Sequence, residues 1–373
     1  MFIWEENAMK RIDCKMLAAI LTFCGFTTII TSCSQKTLPT TTPEPQKIEL
    51  NCKQPAFLKP GDKVALIAPS YYMTMERIAR AMDVISSWGL EPVLAPNVGK
   101  ITDGQYAGTP EERLSDLRWA FQNPEIKAII CTRGGYGTIQ LIEDANLRDF
   151  SVSPKWLSGY SDITTIHGLL TRAGVMSIHG TMGSSLEKGG LDTTSTMLRE
   201  LLFGQVPRYE LPAHPSNIEG KATGVLVGGN LCTFAPNLNT QVDALMGEDY
   251  ILFVEEVEEQ YHNIDRQMRI LELNGSLKRC KGIILGQFTG CDPEVFTYPS
   301  VEAMLHDYLV KFGIPVLCGF PAGHDQPNLP LVMGAKVTID VRPDGATLRF
   351  RTKGQQQEIQ IQGLLSAEAE EAK

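Results

Sequence analysis

The alternation of short apolar runs with longer segments of helical periodicity, between residues 56 and 182, most narrows what this chain can fold into. KVALIAPS, from Lys63 to Ser70, is an apolar run closed by Pro and Ser, and Ile78, Met82 and Ile85 follow it at helical spacing. Thr109-Pro110-Glu111-Glu112 combines a capping hydroxyl, a proline at the first helical position and a glutamate three residues past the cap, which predicts a helix start before RLSDLRWAF. KAIIC (127–131) reads as a buried strand running into RGGYG, with a helix expected over TIQLIED. KWLSGYSD and VMSIHG repeat the strand-to-turn pattern. Strands with two apolar faces need helices on both sides, so the series predicts an α/β protein whose N-terminal domain, residues 56–182, is a doubly wound, mostly parallel sheet.

At 373 residues the chain exceeds the roughly 250–300 that one core serves, so a second domain is expected. Residues 183–220, Ser/Thr/Pro-rich around the short helix TMLRELLF, read as an inter-domain connection. Residues 221–363 read as a C-terminal mixed α/β domain. Its strands are TGVLVGG, YILFVEEV and KGIILGQF, its helices lie over 264–273 and 301–312, and the hairpin KVTIDVRPDGATLRFR turns on Pro343-Asp344-Gly345. Residues 364–373 make a polar tail.

The start of the chain is an address. Lys10, Arg11 and Lys15 precede an apolar run of about 15 residues, shorter than the ~20 needed to span a bilayer, and ITSC then sets small residues before Cys33. This resembles a bacterial lipoprotein signal: residues 1–32 would be removed and Cys33 lipidated, anchoring the protein on the periplasm-facing side of the cell envelope. MFIWEENA is acidic and unlike the start of such a signal, which leaves Met1 and Met9 as alternative starts. Residues 33–55 then form a lipidated, Thr/Pro-rich tether. The net charge of -9, without a Lys/Arg run, excludes a nucleic-acid surface. Nine cysteines without CxxC spacing argue against a disulfide scaffold or zinc ribbon, and Cys131, Cys280 and Cys318 read as buried thiols.

Three loop ends carry the chemistry. In GYSDIT (159–164) a strand passes into a helix at Ser161, which projects a hydroxyl and leaves the Asp162 amide unpaired at a helix start, although the same residues would serve as a plain helix cap. CTRGGYGT (131–138) lacks both GxGxxG and GxxxxGK[ST], which argues against nucleotide binding. Its Gly135 amide offers a second oxyanion donor, and Arg133 a partner for a substrate carboxylate. ILFVEEV (251–257) ends in two carboxylates, and FPAGHDQPN (320–328) carries His324 in a Gly/Pro loop; together they offer a base and an orienting acid. HExxH is absent, and neither a metal nor a cofactor is called for.

APS, RGGYG, GYSDIT, IHG, GGNL (Gly228 to Leu231), FVEEV and PAGH, in this order over roughly residues 56–350, resemble the LD-carboxypeptidase family of serine peptidases, also called muramoyltetrapeptide carboxypeptidases. The resemblance implies Ser161 as nucleophile, Glu255 as the acid and His324 as general base, with Gly135 and Asp162 as backbone oxyanion donors, and Arg133 and Asn230 as substrate contacts. Glu256 is the weaker choice of acid because strand alternation sends it to the opposite face. The implied reaction releases terminal D-alanine from a peptidoglycan tetrapeptide, in a protein that is commonly a homodimer. Members that recycle wall fragments are typically cytoplasmic, so an exported, anchored chain departs from that pattern. Two alternatives are a hydrolase similar to the microcin-immunity enzymes, which split acyl-linked nucleotide toxins, and a non-catalytic wall-binding lipoprotein.

Overall fold

The computed structural model describes residues 48–365, which fall within one compact unit. The signal, Cys33, most of the tether and the final eight residues lie outside the described residues.

In the N-terminal half, β1 (Lys63–Ile67), β2 (Glu91–Leu94), β3 (Ile126–Cys131), β4 (Trp156–Gly159) and β5 (Ser177–His179) alternate with α1 (Met75–Ser87), α2 (Pro110–Gln122) and α3 (Thr164–Arg172). The strands pair in parallel in the order β2-β1-β3-β4-β5. Val64 to Ile67 and Ala128 to Cys131 are buried without alternation, as strands covered on both faces must be. Helix α2 starts as expected: Thr109 accepts from the Glu112 amide and the Glu112 carboxylate accepts from the Thr109 amide. TIQLIED does not make an α-helix. Only a 3-10 turn, Thr138–Leu141, forms there, because the segment is too short to propagate and has no side-chain cap, its Thr138 amide and hydroxyl being bonded to Asp162 instead.

The C-terminal half contributes α4 (Thr193–Leu202), α5 (Tyr261–Leu273) and α6 (Val301–Leu309), with strands β6 (Gln205–Pro212), β7 (Gly220–Asn230), β8 (Tyr250–Val257), β9 (Cys280–Thr289), β10 (Val316–Leu317), β11 (Leu331–Met333), β12 (Lys336–Arg342), β13 (Gly345–Phe350) and β14 (Gln355–Gln360). Eight of these strands form a mixed sheet ordered β10-β9-β8-β7-β12-β13-β6-β14, parallel from β10 to β7 and antiparallel from β7 to β6. The segment read as a connection is therefore partly sheet. Pro207 and Pro212 break the strand signature of β6, yet Val206, Tyr209 and Leu211 are buried along it.

One apolar cluster spans the two domains, beside a second that lies almost wholly in the N-terminal half and a third almost wholly in the C-terminal half. Leu66, Ile130 and Ile178 of the first sheet belong to the same apolar cluster as Leu226, Phe253 and Ile339 of the second. Strand β11 returns from the C-terminal half to pair antiparallel with β5, setting Leu331 opposite His179. At the joint the Asn230 amide donates to the Thr164 hydroxyl, 3.0 Å, linking the helix after Ser161 to the strand beside β8. Cys131, Cys280 and Cys318 are buried thiols, as expected.

Candidate active site

Strand β4 ends at Gly159, Tyr160 is extended, and Ser161 turns the chain left-handed at φ +63° before a 3-10 turn leads into α3. A serine held at positive φ stores roughly 1–3 kcal/mol of strain, which the surroundings must impose. Buried His167 supplies part of that constraint. Its Nε2 meets the Gly159 carbonyl and its Nδ1 meets the Ser177 hydroxyl, both at 2.8 Å. A carbonyl only accepts, so Nε2 carries the proton and Nδ1 accepts from Ser177. Burial pushes His167 down to about 4, so the neutral ring that these bonds require persists at physiological pH.

The Gly-rich loop after β3 comes close to this turn. A Cβ on Gly134 would lie 3.0 Å from Ser161 Cβ and 3.2 Å from its Oγ, and one on Gly135, at φ +124°, would collide with the Tyr71 ring. Glycine is required at 135, and at 134 it leaves the Ser161 side chain room that a Cβ would crowd. The Gly135 and Asp162 amides donate to no backbone acceptor among the described residues, and both belong to the segments that border Ser161. Arg133 lies over the Tyr71 ring, its Cζ 5.8 Å from the centroid, and pairs with no carboxylate among the described residues.

The residues expected as acid and base come from the other half. Glu255 on β8 is fully buried, and its Oε2 is 2.8 Å from Nδ1 of His324, whose side chain stays 17% exposed. Burial draws the His324 pKa down, but the hydrogen bond to Glu255 and the charges of Glu255, Glu256 and Asp325 outweigh it, so the net shift is upward. The loop carrying His324 is braced: Gly323 donates to Asn328, Asp325 to Gln287, and Asn328 to Thr194. The His324 ring meets Tyr160 edge-on, centroids 5.2 Å apart, so His324 contacts the immediate neighbour of Ser161.

Strand alternation separates the two carboxylates. Glu256 faces away, accepting from the Asn230 side chain and from the Cys232 and Val257 amides, and burial raises its pKa. Asn230, expected as a substrate contact, also caps the short helical turn that follows β7. It is buried, its side-chain nitrogen donates to Glu256, and its side-chain oxygen accepts from the Thr233 amide. Sequence reasoning reads the Asp162 side chain only as a helix cap and gives the side chains of His167 and Ser70 no part in the site; their signal is adjacency to motif residues in GYSDIT and APS.

Comparison with known proteins follows the same division. Residues 64–180 match the LD-carboxypeptidase N-terminal domain and residues 223–339 the LD-carboxypeptidase C-terminal domain. A Synechocystis protein with a provisional carboxypeptidase name is 35% identical over 302 residues, covering 80% of this chain and 98% of its own. The murein tetrapeptide carboxypeptidase of Pseudomonas aeruginosa is 30% identical, over 74% of this chain and 93% of that protein. The microcin C7 self-immunity protein of Escherichia coli is 26% identical, over 76% and 92%. The crystal structure of muramoyltetrapeptide carboxypeptidase from Oxalobacter formigenes superimposes with a TM-score of 0.71 at 28% identity, covering 78% of this chain and 99% of that one.

Proposed function

The chain belongs to the LD-carboxypeptidase family, and from that premise we propose that it is a serine carboxypeptidase releasing terminal D-alanine from murein tetrapeptide stems. The observation that carries the assignment of roles is the Glu255–His324 pair set against Tyr160, next to a left-handed Ser161. With Nδ1–H donating to Glu255, Nε2 is left as the acceptor. Ser161 Oγ attacks the carbonyl of the L-centre and its proton passes to Nε2. The oxyanion is met by the Gly135 and Asp162 amides. Collapse expels the D-alanine amine, which takes the proton from His324. Water, activated by the same base, then hydrolyses the ester and frees the tripeptide. Arg133 takes the terminal carboxylate, which makes the enzyme a carboxypeptidase rather than an endopeptidase.

The anchor belongs to this reading. Lipid on Cys33 would hold the enzyme in the cell envelope, where murein fragments are its substrate, and a homodimer is its expected state. Labelled palmitate should enter the wild type and not Cys33→Ala; equal labelling would end the anchor proposal. A second reading has its own support: Tyr71, Tyr106 and Tyr136 form a ring cluster beside Gly135, the kind of surface on which a nucleobase stacks. Offering a murein tetrapeptide and an aminoacyl sulfamoyl adenosine to the same preparation separates the two. D-alanine release with a slow or absent reaction on the nucleotide is expected; the reverse preference would transfer the protein to the acyl-nucleotide branch.

A further inference from the structure

The mechanism uses the Asp162 amide and leaves its side chain without a task, although that side chain is buried. It caps no amide of its own helix. Instead Oδ2 accepts the Ser70 hydroxyl at 2.6 Å and the Thr138 amide at 3.0 Å, while the Asp162 carbonyl accepts the Thr138 hydroxyl at 2.6 Å. Ser70 closes the segment after β1, Thr138 closes the Gly-rich loop after β3, and Asp162 follows β4. One carboxyl group thus ties together the loops at the ends of three neighbouring strands. Strand order reverses between β1 and β3, where open α/β sheets form their ligand crevice. Buried Arg113 adds a brace, donating at 2.9 Å to the carbonyls of Pro69 and Gly137, the residues just before Ser70 and Thr138.

We propose that Asp162 is a positioning residue that sets the Gly-rich loop so that the Gly135 and Asp162 amides face one oxygen above Ser161. The inference rests on the peptidase reading, since an oxyanion arises only when Ser161 attacks an acyl group. The Gly-rich loop passes so near the nucleophile that a Cβ on Gly134 would lie 3.0 Å from Ser161 Cβ, so a loop released from Asp162 shifts one donor relative to the other, and a shift of about 1 Å costs on the order of a hundredfold in rate.

The test compares purified full-length wild type, Asp162→Ala, Asp162→Asn and Ser70→Ala by kcat and KM for D-alanine release and by the rate of Ser161 labelling with a fluorophosphonate. Asp162→Ala should lose about a hundredfold in kcat and in labelling rate with KM within about threefold, as expected for a lost oxyanion donor. Asp162→Asn keeps an acceptor oxygen and should recover about tenfold of that loss. A folded Asp162→Ala with wild-type kcat, or one that raises KM alone, overturns the proposal. If Asp162→Ala does not fold, Asp162→Asn and Ser70→Ala decide it: lowered kcat at unchanged KM supports the role, and wild-type kcat in both overturns it. Wild type that is labelled but releases no D-alanine defeats the substrate reading alone, and the labelling rates still judge Asp162. Wild type that is not labelled at Ser161 overturns both.

Discussion

At the scale of single residues, Glu255 and Glu256 are neighbours with opposite duties. Glu255 holds the imidazole of His324 and Glu256 holds the Asn230 turn. Glu255→Gln should therefore lower kcat by about 10³- to 10⁴-fold, as loss of the orienting acid does in serine triads, with substrate KM little changed. Glu256→Gln should chiefly lower the melting temperature. Equal kcat losses in the two would reject the assignment. The raised His324 pKa has two further consequences. In the proposed mechanism His324 accepts a proton only when neutral, so kcat/KM should climb with pH through a midpoint above the ordinary imidazole value of about 6.5. A histidine whose pKa is higher folded than unfolded contributes stability that is complete below the unfolded value and lost as pH rises through the folded one. The melting-temperature gap between wild type and Glu255→Gln should accordingly be wider at pH 5.5 than at pH 9, and a gap that widens toward alkaline pH would contradict it.

Among the elements, the parts legible in the sequence were those with local causes. The capping box at Thr109 names its own helix, and alternation along β8 assigns the two glutamates to opposite faces. What stayed hidden depends on distant partners. TIQLIED has helical composition, but Thr138 spends its donors on Asp162; β6 is interrupted by prolines and is recognisable only from β13 and β14 on either side. The bond from the Asn230 side chain to Glu256 is equally hidden, because nothing local to either residue reveals it. Two substitutions separate local from long-range roles. Thr109→Ala removes a cap and should cost about 1 kcal/mol of stability with kcat unchanged. Gly134→Ala pushes a methyl against Ser161 and should lower kcat by about a hundredfold while thermal unfolding shifts little. Unimpaired turnover in Gly134→Ala would show that the loop does not constrain the nucleophile.

For the molecule as a whole, composition and length called for two domains, but not for a core common to both. That sharing places Ser161 on one sheet and the Glu255–His324 pair on the other without a hinge between them, because β11 follows the His324 loop directly into the first sheet. Residues 48–220 expressed alone would leave the β5 edge unpaired and half of the shared cluster in water. They keep the separate cluster of Ile67, Leu117, Ile129 and Leu169, but without the shared one they should melt well below the full chain by circular dichroism, and an unchanged melting temperature would mean that the shared cluster does not stabilise the N-terminal half.

The central claim is that a hydroxyl from the first sheet is activated by an imidazole and a carboxylate from the second to cut an L,D-peptide bond. Its most direct test is D-alanine release from a murein tetrapeptide by wild type and by Ser161→Ala at matched concentration. The account predicts release by the wild type, undiminished by EDTA, and none above background from the variant; turnover by Ser161→Ala at the wild-type rate would contradict it.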